Sequence, residues 1–425
     1  MPDALRVLLH GSPIGALSRS ARGELAFRYD RDYSNGSGTA LSPDLPLDHR
    51  PFKGERVLAY LEGLLPDDPA VRQRWAARFD VRDEAFDLLA HMGLDCPGAV
   101  QFLPETATGH EAAVAEREAA YVHVTEARIA ARIRQLRADG SSWTMPDEHW
   151  SLPGAQEKFS LARRRGRWYE AHGSAPATHL IKPGIARMRH QAEVEFASMR
   201  AARLLGLNVA DVDLLRPGGE VAVAVRRFDR PQDRNGTIER WHQVDLCQAI
   251  GVPPSRKYEA RGGPSAETLA RVLRRVSTAP EADVRRFSDA LLFNYLSGSP
   301  DGHAKNFSLL LVGTQVRLAP LYDLATGLPY ATRDAARQSA FAIGGVRNFG
   351  ESYPKHWRAH GRALGLDEDE RVERVRRFAS ELPDAFRTAL LDEVGGDIGR
   401  RLWVRLEKRL VPACRRVESR WRSHG

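Results

Sequence analysis

FNYLSGSPDGHAKNFSLLL, residues 293–311, sets an aspartate, Asp301, five positions ahead of an asparagine, Asn306, and runs directly into an apolar, strand-like stretch. The catalytic loop of protein kinases uses the same step: an Asp orients and deprotonates the attacking hydroxyl, and an Asn five residues later holds Mg²⁺. The chemistry asks for both residue types. A carboxylate must reach the hydroxyl, and a neutral oxygen ligand must bind the metal without adding repulsion to the phosphates. Alone, the Asp-Gly pair is an ordinary turn and HAKN an ordinary loop, so the weight lies in what accompanies them.

Seventeen residues past Asn306 stands Asp323, in RLAPLYDLATG (317–327), after a strand-like run and before a glycine. That is where a second metal-binding Asp belongs. Upstream, Lys182 closes the strand THLIKPG (178–184), where an ammonium can reach the α- and β-phosphates. Its acidic partner is expected on the next helix, QAEVEFASMRAARLLGL (191–207), as Glu195 or Glu193. The two glutamates are two positions apart and point to different helix faces, so one of them faces the cleft. Before the lysine lies SLPGAQEKFSLA (151–162), in which amides freed by Gly154 and Ala155 can cradle phosphate oxygens, with Lys158 adding charge. It matches neither Walker A nor GxGxxG. VAVAVRRFDR (221–230) supplies a strand running into Phe228 and Asp229, suited to an adenine hinge and a ribose hydroxyl contact. The order is loop, Lys, Glu, hinge, Asp-x4-Asn, Asp.

Composition agrees. The chain has 425 residues, 42% hydrophobic and 28% charged, which is the balance of a globular protein with apolar surface for two or three cores. No apolar run reaches the ~18–20 residues of a membrane helix, and the start lacks a basic segment ahead of a long apolar stretch, so a cytoplasmic protein with no membrane partner is expected. The three cysteines are far apart and form no CxxC pair, which speaks against thiolate metal sites and disulfides. The net charge of +8 comes from scattered arginines. Only seven lysines occur among 63 basic residues, and three of them, Lys158, Lys182 and Lys305, fall inside the motifs above. Where arginine is the default cation, a lysine marks a place for a compact point charge.

The opening stretch RVLLHGSPIGALSRSARGELAFRYD (6–30) reads as a β-meander. A Gly, Ser and Pro-rich loop follows through Pro51, then a helical piece over residues 84–92 closed by Gly93. TEARIAARIRQLR (125–137) reads as a helix capped by Thr125. KFSLAR, a turn at Arg165-Gly166, RWYEA and THLIKPG read as an antiparallel sheet, residues 191–205 as a helix ended by Gly206, and DVDLL, PGGE and VAVAVRRFD as a hairpin. From Gln243 the pattern is helical apart from a short β region over 307–318. The expected fold is α+β and two-lobed, protein-kinase-like, with a β-rich N-terminal region, a largely helical C-terminal lobe and a crevice between lobes. The expected domains are 1–105, 106–228 and 229–425, with a boundary near residue 105.

SLPGAQEK, THLIKPG, the helix with Glu195, RRFDR, HQVDLCQAIGVPPSRKYE (242–259), SPDGHAKNFSLLL and APLYDL resemble the successive signatures of the HipA family. So do VLLHGSPIGAL, LSPDLPL and YLEGLLPD (60–67) near the start. The resemblance covers nearly the whole chain. It implies a type II toxin–antitoxin serine/threonine kinase using ATP and Mg²⁺, with a small helix-turn-helix antitoxin of HipB type as partner, DNA contacted through that complex, and an aminoacyl-tRNA synthetase as target. It implies Asp301 as catalytic base, Asn306 and Asp323 as Mg²⁺ ligands, and Lys182 on the phosphates. Pro153, Gly154, Ala155, Gln156, Glu157 and Lys158 would form the phosphate loop, and Arg226, Arg227 and Phe228 the hinge. His303, Lys305 and Tyr322 would line the nucleotide site, and Ser151 would be the loop serine whose autophosphorylation switches the enzyme off. Two positions depart from the family pattern: Arg226 stands where a glutamate is usual, and Val194 where an asparagine is usual.

Two other classes fit part of the pattern. A lipid or small-molecule kinase of related fold shares the chemical parts, and a non-catalytic co-repressor could act beside a DNA-binding antitoxin. Hydrolase readings fail for want of a GxSxG elbow or an HExxH pair.

Overall fold

The computed structural model describes residues 4–36, 38–104, 119–145, 148–330 and 338–422. The expected boundary near residue 105 lies outside them. The chain divides into two compact units, one comprising Met1–Ile185, Leu215–Ser255 and Ser308–Val316, the other Ala186–Leu214, Arg256–Phe307 and Arg317–Gly425.

In the first unit, alternation of Leu5, Val7 and Leu9 along Ala4–Leu9 places three side chains on one buried face. That strand pairs antiparallel with Ser12–Arg19 and with Val100–Pro104, and Leu25–Tyr29 and Phe52–Lys53 continue the sheet. The anticipated meander is present. Ala85–Met92 forms with Glu84 at its N-cap and Gly93 at its C-cap. Two further helices, Glu55–Glu62 and Pro69–Phe79, were not read from the sequence. The second is opened by Asp68, whose side chain accepts from the Ala70 amide, and by Pro69 in its first turn.

The same unit holds the antiparallel run Ala222–Arg226, His179–Lys182, Phe159–Arg164, Arg167–His172 and Ala120–His123. Arg165 and Gly166 both take positive φ, 48° and 79°, the pattern of a two-residue type I′ turn. Helix Glu126–Ala138 starts at Thr125, whose hydroxyl accepts from the Arg128 amide. His242–Asp245 pairs antiparallel with Ser308–Val312.

The second unit is mainly helical: Gln191–Leu204, Ala266–Val276, Pro280–Ser297, Pro354–Ala363, Glu368–Thr388 and Gly396–Arg422. Phe287, Phe293, Trp357, Phe378, Phe386 and Leu402 are fully buried among them. A short hairpin, Gln338–Ile343 with Val346–Asn348, interrupts the helices and was not read from the sequence. The protein is therefore α+β, with a β-rich N-terminal region and a largely helical C-terminal part.

Candidate active site

Helix Pro280–Ser297 stops where Gly298 takes a left-handed φ of 66°, and Ser299 N–H returns to the Asn294 carbonyl at 2.8 Å. This reverses the chain into the Asp301 loop. A Cβ on Gly302 would stand 2.3 Å from Asn294 Nδ2, so any larger residue there must displace that side chain. The His303 amide donates to the Asp301 carbonyl at 2.9 Å, and a 3₁₀ turn, Ala304–Asn306, follows.

The Asp301 side chain is 68% exposed. Its Oδ1 accepts from the Tyr258 hydroxyl, and His303 Nε2 stands 3.7 Å from the same oxygen. Oδ2 accepts no hydrogen bond among the described residues. The Asn306 amide donates through Nδ2 to the Asp301 carbonyl at 2.6 Å, which fixes the amide and turns its Oδ1 the other way. An asparagine held like this presents one carbonyl oxygen as a ligand.

Asp323 adopts a left-handed φ of 54°, a conformation that needs surrounding support. The support is visible. Tyr322 Oη donates to the Lys305 carbonyl at 2.8 Å. Leu321 exchanges backbone hydrogen bonds with Asn208 and Ala210, each 2.8 Å. The Thr326 amide donates to Ser198 Oγ at 3.0 Å, and the Gly327 amide to the Gly298 carbonyl at 2.9 Å. The segment bearing Asp323 is thus tied to the helix carrying Glu195, to the end of Pro280–Ser297 and to the Asn306 turn.

Glu195 is 1% exposed, and its Oε2 accepts from Gln191 Nε2 at 3.2 Å. Glu193 is also buried but lies 3.1 Å from His190 Nδ1 at the start of the same helix. The two glutamates face different surroundings, as their spacing requires.

In the first unit, residues 151–158 fold against the turn that follows Glu55–Glu62. Ser151 Oγ donates to the Leu64 carbonyl at 2.7 Å, and the Asp67 amide donates to the Gly154 carbonyl at 2.9 Å. Gly154 has a φ of 104°, open to glycine alone in practice. Pro153, Gln156 and Glu157 are half-buried, and Ala155 is exposed. Lys158 bends back, with Nζ 2.9 Å from the Pro153 carbonyl and 4.1 Å from the centre of the Trp143 ring. Lys182 is buried at the end of its strand.

At the expected hinge, Arg226 is exposed and Phe228 half-buried, but Arg227 and Asp229 lie inside. Arg227 donates to Asp95 Oδ2 at 3.0 Å and to Asp229, and Arg230 donates to Asp95 Oδ1 at 2.7 Å and Asp229 Oδ2 at 2.9 Å. The Gly98 amide adds 2.7 Å to Asp229 Oδ2. Burial pushes the Asp229 carboxyl up, but the two guanidinium groups outweigh it and hold the group well below the usual carboxylate range. Asp229, expected beside a ribose hydroxyl, is 1% exposed, with Arg227 on its Oδ1 and Arg230 on its Oδ2.

Two features escaped the sequence reading. Tyr258 touches Asp301 from 43 residues away, and the 64–67 turn backs the loop at 151–158. Both lie in motifs that stood out, HQVDLCQAIGVPPSRKYE and YLEGLLPD, but nothing in their residues names the contact.

Comparison with known proteins points one way. The HipA N-terminal domain family matches residues 5–103 and the HipA-like C-terminal domain family residues 150–386. "Putative kinase Y4mE" of Sinorhizobium fredii is 33% identical over 390 residues, 90% of this chain and 89% of that protein. The serine/threonine-protein kinase toxin HipA of Shewanella oneidensis is 29% identical over 402 residues, covering 89% of this chain and 87% of the relative. A structure of the Shewanella oneidensis toxin–antitoxin system, HipA with HipB and its operator DNA, contains a chain that superposes with a TM-score of 0.84 at 27% identity, covering 99% of this chain and 98% of that one. The HipA-like C-terminal match takes in more than half of the chain, including the loop carrying Asp301 and Asn306, and the chain belongs to the HipA family.

Proposed function

We propose that this protein is an ATP- and Mg²⁺-dependent protein serine/threonine kinase, the toxin of a type II toxin–antitoxin module. Its acceptor is a protein serine, on an aminoacyl-tRNA synthetase such as glutamyl-tRNA synthetase, so that phosphorylation inhibits translation. Its partner is a helix-turn-helix antitoxin of HipB type, through which it meets DNA, and it works in the cytoplasm. Among the described residues no helix is long and apolar enough to cross a membrane.

One observation carries the reading: Asp301 offers a carboxylate oxygen that accepts no hydrogen bond among the described residues, in the loop where Asn306 is held by its amide nitrogen, and the Asp323 segment is tied to that same turn through Tyr322 and Lys305. The donor set fits Mg²⁺, a hard cation that takes one or two protein oxygens and completes its shell with phosphate and water. Among the described residues no group of three or more His, Cys, Asp or Glu side chains could hold a metal by itself. Asn306 and Asp323 would hold the ion, which when bound neutralises charge on the phosphates. Asp301 Oδ2 then orients the acceptor hydroxyl and takes its proton. Lys182 and the amides of residues 153–158 serve the phosphates, and the backbone of Arg226 and Phe228 the adenine. His303, packed against the Tyr258 ring at a centroid distance of 4.8 Å, lines the nucleotide site with Lys305 and Tyr322.

The test is transfer from γ-³²P-ATP with Mg²⁺ in a host-cell lysate. Label as phosphoserine in protein bands supports the proposal. Label confined to lipid or small metabolites favours the lipid or small-molecule kinase, and absence of Mg²⁺-dependent ATP binding favours a co-repressor without catalysis.

A further inference from the structure

Tyr258 belongs to the segment that resemblance singled out without giving it a task. Its hydroxyl donates to Asp301 Oδ1. The contact is built rather than incidental, because three neighbouring backbone and side-chain anchors fix the segment that presents it. The Ala304 amide donates to the Lys257 carbonyl at 3.3 Å, stitching the tyrosine's neighbour to the Asp301 loop. Glu259 accepts from the Ala342 amide at 2.8 Å and pairs with Arg347 at 3.1 Å, so the other neighbour is moored to the hairpin Gln338–Ile343 and Val346–Asn348. Gly263 closes the turn behind it, where a Cβ would lie 2.1 Å from the Arg256 carbonyl oxygen. The ring itself stands edge-to-face on His303 at 87°.

A carboxylate that is 68% exposed gains little from packing to set its rotation about the Cβ–Cγ bond, and His303 Nε2, 3.7 Å away, stands beyond hydrogen-bond reach. A base must present one oxygen within hydrogen-bond reach of the hydroxyl it deprotonates. The geometry points to Tyr258 as the positioning residue that binds Asp301 Oδ1, stops the carboxylate rotating and leaves Oδ2 for the acceptor serine. This inference rests on the proposed phosphotransfer role of Asp301. Tyr258 acts through Asp301 and has no part in nucleotide binding, so its loss lowers the rate and spares ATP affinity.

The experiment compares full-length wild type, Tyr258→Phe and Asp301→Asn for the initial rate of γ-³²P transfer to lysate protein at saturating Mg²⁺ and ATP. Mg²⁺-dependent ATP affinity and melting temperature are measured on the same preparations. A hydrogen bond to a charged group is worth enough that removing the hydroxyl lowers the rate about tenfold. The expected result is that loss for Tyr258→Phe, with ATP affinity within about twofold of wild type and an unchanged melting temperature. A wild-type rate in Tyr258→Phe, with Asp301→Asn inactive, overturns the role of Tyr258 alone. So does a rate loss matched by an equal loss of ATP affinity or by a lower melting temperature. Full activity in Asp301→Asn overturns the assignment of the base, and the role of Tyr258 with it.

Discussion

Tyr322 donates its hydroxyl to the Lys305 carbonyl at 2.8 Å, and each of these residues immediately precedes one of the two oxygen donors, Asp323 and Asn306, assigned to Mg²⁺. This hydrogen bond ties together two segments that are 17 residues apart in sequence. Asp323→Ala removes a ligand and leaves this tie in place. It is expected to weaken ATP binding in the presence of Mg²⁺ by at least about tenfold while leaving Mg²⁺-free binding unchanged. Calorimetric titration with and without Mg²⁺ checks it, and full Mg²⁺-dependent affinity in the variant refutes the metal role.

Ser151 is fully buried with its hydroxyl on the Leu64 carbonyl. If it is the self-modified residue, the 151–158 loop must leave the 64–67 turn before the hydroxyl can react. Ser151→Ala is expected to abolish self-labelling by γ-³²P-ATP. Phosphopeptide mapping that finds the label on another residue removes the assignment.

The Asp95, Arg227, Asp229 and Arg230 cluster is buried, and each member is ion-paired within it. Removing one member strands the others without solvent, which costs about 3–5 kcal/mol. Asp95→Ala is expected to lower the unfolding free energy by that amount in urea titrations. A change below about 1 kcal/mol would mean the cluster is not dry.

His242 and His360 give a pH signature. Burial holds His242 down at about 4, against a weaker upward pull from the Leu41 carbonyl, and burial with the nearby Arg371 charge holds His360 down at about 3. Both sit below the value of about 6.5 in an unfolded chain. As pH falls below that value the unfolded state takes up protons that the folded state refuses, so stability is full above about pH 6.5 and erodes toward pH 4. Urea midpoints at pH 7.5 and 5.0 should show the drop, and His242→Gln with His360→Gln should flatten it. A double variant with the wild-type slope contradicts the account.

Much of this was legible in the sequence because local signals were strong. The Thr125 cap, the Arg165-Gly166 turn and the alternation through residues 4–29 each act within a few residues. Helices Glu55–Glu62 and Pro69–Phe79 were missed because a Gly and Pro-rich approach masked them, although Asp68-Pro69 was a usable start signal. The hairpin at Gln338–Ile343 was lost in a helical background. Asp229 shows the limit more sharply. Its place after a strand suited a ribose contact, and only the fold brings Asp95 and Arg230 around it. The hydrogen bond from Tyr258 to Asp301 is likewise non-local and has no sequence signal of its own.

The central claim is that the carboxylate at position 301 is the base for phosphoryl transfer. Asp301→Asn keeps the size of the side chain and removes its capacity to accept the proton. The direct measurement is γ-³²P transfer to protein by this variant beside wild type, with Mg²⁺-dependent ATP binding measured on both. The account predicts a loss of transfer of at least about 100-fold, within the range that a positioned base contributes, with ATP binding retained. Transfer at the wild-type rate by Asp301→Asn would contradict it.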